Sequence, residues 1–214
     1  MQLDQETLIW FGTLVAAVIL HEVSHGVVAR WFGDRTAADA GRLTLNPVPH
    51  IDPLGSIVLP MLGAIFAQPV VAWAKPVPVN PSQMRHPRRA MFVVSLAGPV
   101  TNLLLMLVSA LAARALFDPT SVRPGFGLSG LPLAIQILYV FALVNLFLAI
   151  FNLLPIPPLD GSAIFELFMP REWLPRWYRF RPYGLLVIFA LVFTVGIDKY
   201  LAPFQDWLVR FIFR

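Results

Sequence analysis

Three apolar runs, near residues 8–29, 90–113 and 131–154, constrain this chain more than any other feature. Wound as a helix at about 1.5 Å per residue, each covers the roughly 30 Å hydrocarbon core of a bilayer. Lipid offers no partner to a backbone N–H or C=O, so runs of this kind must bond internally and become helices. Composition agrees: of 214 residues, 57% are hydrophobic and only 13% charged, against about 25% charged in a soluble domain. The expectation is an all-α polytopic membrane protein, a helical bundle of about four to six membrane segments. No polar linker or low-complexity tract divides the chain, so residues 1–214 read as one integral-membrane domain, with a core over 8–169 and a C-terminal span and tail over 182–214.

The first residues, "MQLDQE", are acidic where a secretory signal would be basic, and the first run therefore reads as a retained span. The absence of cysteine excludes disulfides and thiolate metal sites. A net charge of +4 raises the question of nucleic acid, but the basic residues sit beside apolar runs and no groove-reading motif accompanies them. The lipid bilayer is the expected partner, and nucleic acid is not.

Residues 36–60, "AGRLTLNPVPHIDPLGSIVLP" at their core, alternate briefly and then break at prolines and glycines, which predicts one or two short strands with turns. Residues 57–74 are apolar but interrupted by Pro60, Gly63 and Pro69. Charge decides how that stretch is read. If it does not cross the bilayer, residues 30–89 lie on one side with seven lysines and arginines, the next loop carries only Arg114 and Arg123, and four more arginines follow on the first side. That matches the positive-inside rule with an outside N-terminus, and predicts a small membrane-associated β or re-entrant element after the first span. Backbone of that kind at membrane depth must pack in protein or line a wet cavity, and the polar stretch 46–52 is the expected lining.

Inside the first run stands "HEVSH". His21 and His25 are four apart, so a helix puts both on one face, and Glu22 is placed to reach a water held between them. This is the H-E-x-x-H pattern, two histidines for zinc and a glutamate as general base. Thirteen residues separate Leu8 from His21, about 20 Å into the core and roughly 12 Å beneath the Arg30 side. Ionisable groups at such depth cost several kcal/mol unless paired, and mark function by default.

Zinc in a catalytic site takes a third protein ligand. Asp160, in "FNLLPIPPLDG", is the candidate: prolines 155, 157 and 158 end the third run, an extended strip follows, and Gly161 leaves room for a turn. The charge argument places that strip on the side nearer His21 and His25. Asn152 and Asn145 lie seven apart on one face of the third run. Asn152 reads as a donor to an oxyanion, and Asn145 as an interhelical hydrogen bond. Asn102, after Gly98 and Pro99 in "SLAGPVTN", reads as part of a small-residue packing notch, and His50 and His86 as polar loop histidines.

In this order "HEVSH", "SLAGPVTN" and "NLLPIPPLDG" resemble the site-2 protease family of intramembrane zinc metalloproteases, peptidase family M50. The spacing of Asn152 and Asp160 is similar too, and "GRLTLNPVPHIDPLGS" and "WAKPVPVNP" resemble the compact bacterial and archaeal branch without PDZ or CBS domains. The resemblance implies one Zn²⁺ held by His21, His25 and Asp160, with Glu22 as base and Asn152 assisting the oxyanion. It further implies transmembrane protein substrates and a multi-pass place in the cell membrane with the site nearer the cytoplasmic side. An edge near residues 43–46 is the expected place for an unwound substrate to pair. Two rivals are a metal carrier, which would scatter ligands over several spans, and an inactive binder of transmembrane segments.

Overall fold

The computed structural model describes residues 4–58, 74–121, 127–191, 194 and 198–214, and every regular element within them is helical. In chain order these are α1 (Gln5–Trp31), the single turn α2 (Thr36–Asp39), α3 (Pro87–Leu116), α4 (Leu133–Asn152), α5 (Asp160–Phe168), α6 (Leu174–Phe180), α7 (Gly184–Ala190) and α8 (Asp198–Phe213). Among the described residues three helices, α1, α3 and α4, are long and apolar enough to cross a membrane, and they take up the three long apolar runs. The expected C-terminal span and tail, residues 182–214, contribute α7 and α8, and residues 192, 193 and 195–197 between them lie outside the described residues.

α1 starts where Asp4 accepts the Thr7 N–H at 2.8 Å, an N-cap that satisfies one of the four free donors of the first turn. α3 lies against both α1 and α4 and also touches α5 and α8. The seams are lined by small side chains: Ala17, Ala29, Ala90, Ala110, Ala113, Ala142 and Ala149 are all completely buried. Lipid tails are as apolar as leucine, so close backbone approach between small residues is what holds such helices together. The larger apolar residues face outwards, among them Leu8, Phe11, Leu104, Val108 and Leu111. Hydroxyls between helices are satisfied one turn back, Thr13 on the Ile9 carbonyl and Ser109 on that of Leu105, both at 2.7 Å.

α8 closes the C-terminal half of α3. Its Leu208 and Ile212 insert among Met106, Ala110, Ala113, Ala142 and Leu146. Arg114 at the end of α3 donates to the Phe211 carbonyl and lies 5.2 Å from the centre of that ring.

The expected strands are absent: among the described residues 36–58 form α2, a series of bends, a 3₁₀ turn at Val48–His50 and a π-helical turn at Pro53–Val58. The cause is local. Thr44 Oγ1 accepts the Asn46 N–H and Asn46 Oδ1 the Val48 N–H, each at 3.1 Å, so side chains take the donors a sheet ladder would use. Residues 43–46 thus offer no strand edge. Apart from its ends, the expected re-entrant stretch 57–74 lies outside the described residues. Where the chain is next described, residues 74–80 run without regular structure across the flank of α1, and 3₁₀ and bend geometry then leads into α3.

Candidate metal centre

α1 carries His21 and His25 on one face, buried at 6% and 8% exposure. Their Nε2 atoms stand 3.1 Å apart, and Asp160 Oδ2 lies 3.2 Å from the first and 3.3 Å from the second. Among the described residues these three form the His, Asp and Glu cluster close enough to share an ion.

Hydrogen bonds behind the rings decide which nitrogen carries the proton. Asn145 Nδ2 donates to the Phe141 carbonyl at 2.8 Å, and Asn102 Nδ2 donates to Asn145 Oδ1 at 2.7 Å. Asn102 therefore turns its Oδ1 to His21 Nδ1, at 2.5 Å, and an acceptor there requires an N–H on the ring. The Val94 carbonyl does the same for His25 Nδ1 at 2.7 Å. When neutral, each imidazole then aims its Nε2 lone pair at Asp160. Three electron-rich atoms so close repel unless a cation sits against them. The spacing fits zinc, since ligands at about 2.0–2.1 Å in a tetrahedral shell are roughly 3.3 Å from one another. Among the described residues Asp160 Oδ2 is also buried without a hydrogen-bond partner, as an atom meant for a metal would be.

α3 makes room for this arrangement at Gly98. A Cβ there would come 2.4 Å from His21 Cε1 and 2.5 Å from His25 Nε2, so only hydrogen fits between the helix and the two rings. Sequence reasoning found the small residue but not its purpose, and it missed Asn102 as the partner of His21. The signal was available: Gly98 and Asn102 are four apart, hence on one face of α3.

Asp160 is the first residue of α5 rather than the end of an extended strip. Its carboxylate sits where the helix dipole is positive. Gly161 presses on the preceding turn, where a Cβ would meet the Leu153 carbonyl oxygen at 2.2 Å. At the other end of α5, Arg88 donates to the carbonyls of Glu166, Leu167 and Met169 at 2.8, 3.0 and 2.8 Å. The Glu166 carboxylate takes the Trp177 indole N–H at 2.7 Å and the Arg181 guanidinium. The third member of the cluster is therefore held by a helix fixed at both ends.

Glu22 and Asn152 line the same cleft, about 200 Å³, together with Pro76, Val77, Met91 and Ser95. Glu22 Oε2 accepts the Val77 N–H at 2.8 Å. The Asn152 amide donates to the Leu148 carbonyl at 3.0 Å. Residues 46–52, the expected lining, do not border the cleft; residues 76, 77 and 79 do. The histidines read as loop residues lie elsewhere. His50 is buried against the Thr44 carbonyl at 3.0 Å, and His86 is exposed at the start of α3 with φ 55°.

The chain is similar to known proteins. The family model described as "Peptidase family M50" matches residues 130–195. The chain is 36% identical over 188 residues to "Putative zinc metalloprotease YwhC" of Bacillus subtilis, covering 88% of this chain and 81% of that one. It belongs to peptidase family M50. "Putative zinc metalloprotease Rip2" of Mycolicibacterium smegmatis is 30% identical over 206 residues, 91% of this chain and 70% of that one. "Putative zinc metalloprotease MJ0611" of Methanocaldococcus jannaschii is 30% identical over 162 residues, 74% and 71% of the two chains. No solved structure matches. As a member of this family the chain is a zinc metalloprotease of the site-2 protease type, and its three apolar helices make it a multi-pass membrane protein.

Proposed function

We propose that this chain hydrolyses peptide bonds within or near the membrane-spanning segments of other proteins, from a single domain spanning residues 1–214. The carrying observation is the triangle of His21 Nε2, His25 Nε2 and Asp160 Oδ2, with edges of 3.1–3.3 Å, set in a helix long enough to cross the bilayer. Ten residues of α1 follow His21, so the cluster lies about 15 Å along the axis from that end of the helix. A peptide bond reaching it must enter between spanning helices.

His21, His25 and Asp160 would hold the zinc, whose Lewis acidity polarises a scissile carbonyl and makes water nucleophilic near neutral pH. Glu22 is the general base: its carboxylate borders the cleft beside His21, takes the proton of the attacking water and returns it to the leaving amine. Asn152, at the last turn of α4, turns its amide from the Leu148 carbonyl towards the oxyanion as charge develops there. Asn102 and Val94 hold the two imidazoles in the tautomer that keeps Nε2 free. The basic residues beside the Arg30 end of α1 favour the cytoplasmic face of the cell membrane for this side of the site.

A substrate helix hides its carbonyls in its own hydrogen bonds and must unwind before it is cut. The test is a panel of membrane-spanning peptides in detergent, offered to protein as purified, stripped by chelator and reloaded with zinc. The expected result is cleavage inside a glycine-interrupted apolar segment, lost on chelation and restored by zinc, with a poly-leucine segment resistant. Equal cleavage of both segments, or cuts confined to soluble flanks, would overturn the substrate reading.

A further inference from the structure

The segment that faces α1 across the cleft reads Ala-Lys-Pro-Val-Pro-Val-Asn over residues 74–80. Pro76 and Pro78 have no N–H, so the triplet they bound keeps one donor, that of Val77. That donor goes to Glu22 Oε2 at 2.8 Å, a charge-assisted bond to the carboxylate. One turn along α1, Gly26 clears the space for the same residue: a Cβ there would be 3.0 Å from Val77 Cγ1 and 2.5 Å from Leu43 Cδ2. Val77 thus rests on Gly26 by its side chain and on Glu22 by its backbone.

From the other side the strip is gripped by Arg42, whose Nη2 donates to the Lys75 carbonyl at 2.6 Å and to that of Pro76 at 3.2 Å. The Lys75 N–H goes to the His50 carbonyl at 2.9 Å, and the Asn80 N–H to Asp34 Oδ2 at 2.6 Å. Arg42 is 7% exposed, and among the described residues its Nε is buried without a partner and no carboxylate lies within ion-pair distance of it. A guanidinium withdrawn from water for two neutral carbonyls carries a desolvation cost that an apolar side chain would not. What an apolar side chain cannot do is fix the position of two consecutive backbone carbonyls, the second belonging to the peptide that supplies the Val77 N–H.

We propose that Arg42 is a positioning residue for Glu22: it fixes the Lys75–Pro76 backbone, and the Val77 N–H then sets the orientation of the Glu22 carboxylate towards the cleft. The inference rests on the reading of Glu22 as the general base. It assigns a function to the proline alternation in the strip, which leaves a single donor at one place and limits the chain's freedom on both sides of it.

The test uses the full chain in detergent with one cleavable peptide, and measures kcat, KM and bound zinc for Arg42→Ala, Arg42→Lys, Val77→Ala, Val77→Pro and the Arg42→Ala/Val77→Pro double variant. Glu22→Gln serves as the control for the underlying reading. Arg42→Ala is expected to lower kcat by ~10–100-fold, the scale of a small misplacement of a catalytic group, with zinc and KM near the wild-type values. Arg42→Lys restores part of that loss, because an ammonium still donates to a carbonyl. Val77→Ala is the reference for the lost side chain, so the further fall in Val77→Pro reports the N–H. The double variant falls no further than Val77→Pro, since both changes break one contact. Independently of activity, the Val77 amide, followed by ¹⁵N-valine NMR on zinc-free protein, exchanges at least about tenfold faster in Arg42→Ala than in wild type if the bond to Glu22 protects it. An unchanged kcat in Arg42→Ala, multiplicative losses in the double variant, unchanged Val77 exchange, or loss of zinc in Arg42→Ala would each overturn the proposal. If Glu22→Gln is inactive with zinc bound while Arg42→Ala turns over normally, only this inference fails. If Glu22→Gln is fully active, the reading beneath it fails.

Discussion

The two walls of the cleft are built in opposite ways. One is regular helix: His21, Glu22 and His25 ride on α1, and Gly98 and Asn102 on α3. The other is residues 74–80, which have no ladder or helix and are held by Arg42, Glu22, Asp34 and the His50 carbonyl. The helical wall fixes where a metal can sit, because i, i+4 spacing is rigid to a fraction of an ångström. The irregular wall decides what the Glu22 carboxylate touches. If this division is correct, substitutions in the helical wall act on zinc, and substitutions in the strip act on turnover or on the anchoring of the loop.

The largest effect belongs to the helical wall. Gly98→Ala would push a methyl into both imidazoles and is expected to remove bound zinc almost completely while leaving the helical circular dichroism intact. Gly12→Ala, also in an apolar helix but with nothing within 4 Å of the new Cβ, is the matched control. Zinc retained in Gly98→Ala would show that the two rings do not need this gap.

Asn102→Ala is next. It removes the acceptor that keeps the proton on His21 Nδ1 and should weaken zinc by ~10–100-fold, measured by competition with a chromophoric chelator. An unchanged affinity would mean that the Asn102–Asn145 pair serves only to join α3 to α4.

A smaller effect is expected where the irregular wall is tied down. Asp34 is buried, and its carboxylate takes the Thr36 N–H and hydroxyl at 2.9 and 2.5 Å and the Asn80 N–H at 2.6 Å. Asp34→Ala should cost about 1–3 kcal/mol in thermal unfolding while leaving zinc bound. Burial works against ionisation of Asp34, but the Thr36 hydroxyl and the Asn80 and Thr36 N–H groups outweigh it and hold the carboxyl below the usual range. A depressed carboxyl stabilises the fold above its unfolded pKa of about 3.9 and loses that contribution as pH falls through the folded value. The gap between wild type and Asp34→Asn should therefore narrow on acidification below about pH 4. A gap constant with pH would remove the ionised carboxylate from the account.

The same contrast explains how much could be read in advance. The three spanning helices, the shared face of His21 and His25, and the arrival of Asp160 after a run of prolines all follow from periodicity and chain breakers, which act over a few residues. Gly98 was visible as a small residue, but the rings that need its gap lie more than seventy positions earlier. Residues 42–46 alternate as a strand would, yet Thr44 and Asn46 turn their side chains onto neighbouring N–H groups, and local hydrogen bonds won over pattern. The strip over residues 74–80 could not be placed at all from sequence, because its position depends on partners at residues 22, 34, 42 and 50.

The central claim is that the buried cluster on α1 and α5 is a zinc centre served by Glu22 as its base. The most direct measurement is peptide cleavage by wild type and Glu22→Gln, with bound zinc determined in the same samples. The account predicts one zinc per chain in both and loss of cleavage by ~10²–10⁴-fold in Glu22→Gln, the usual contribution of a general base. Cleavage undiminished in Glu22→Gln, or no zinc in the wild-type protein, would contradict it.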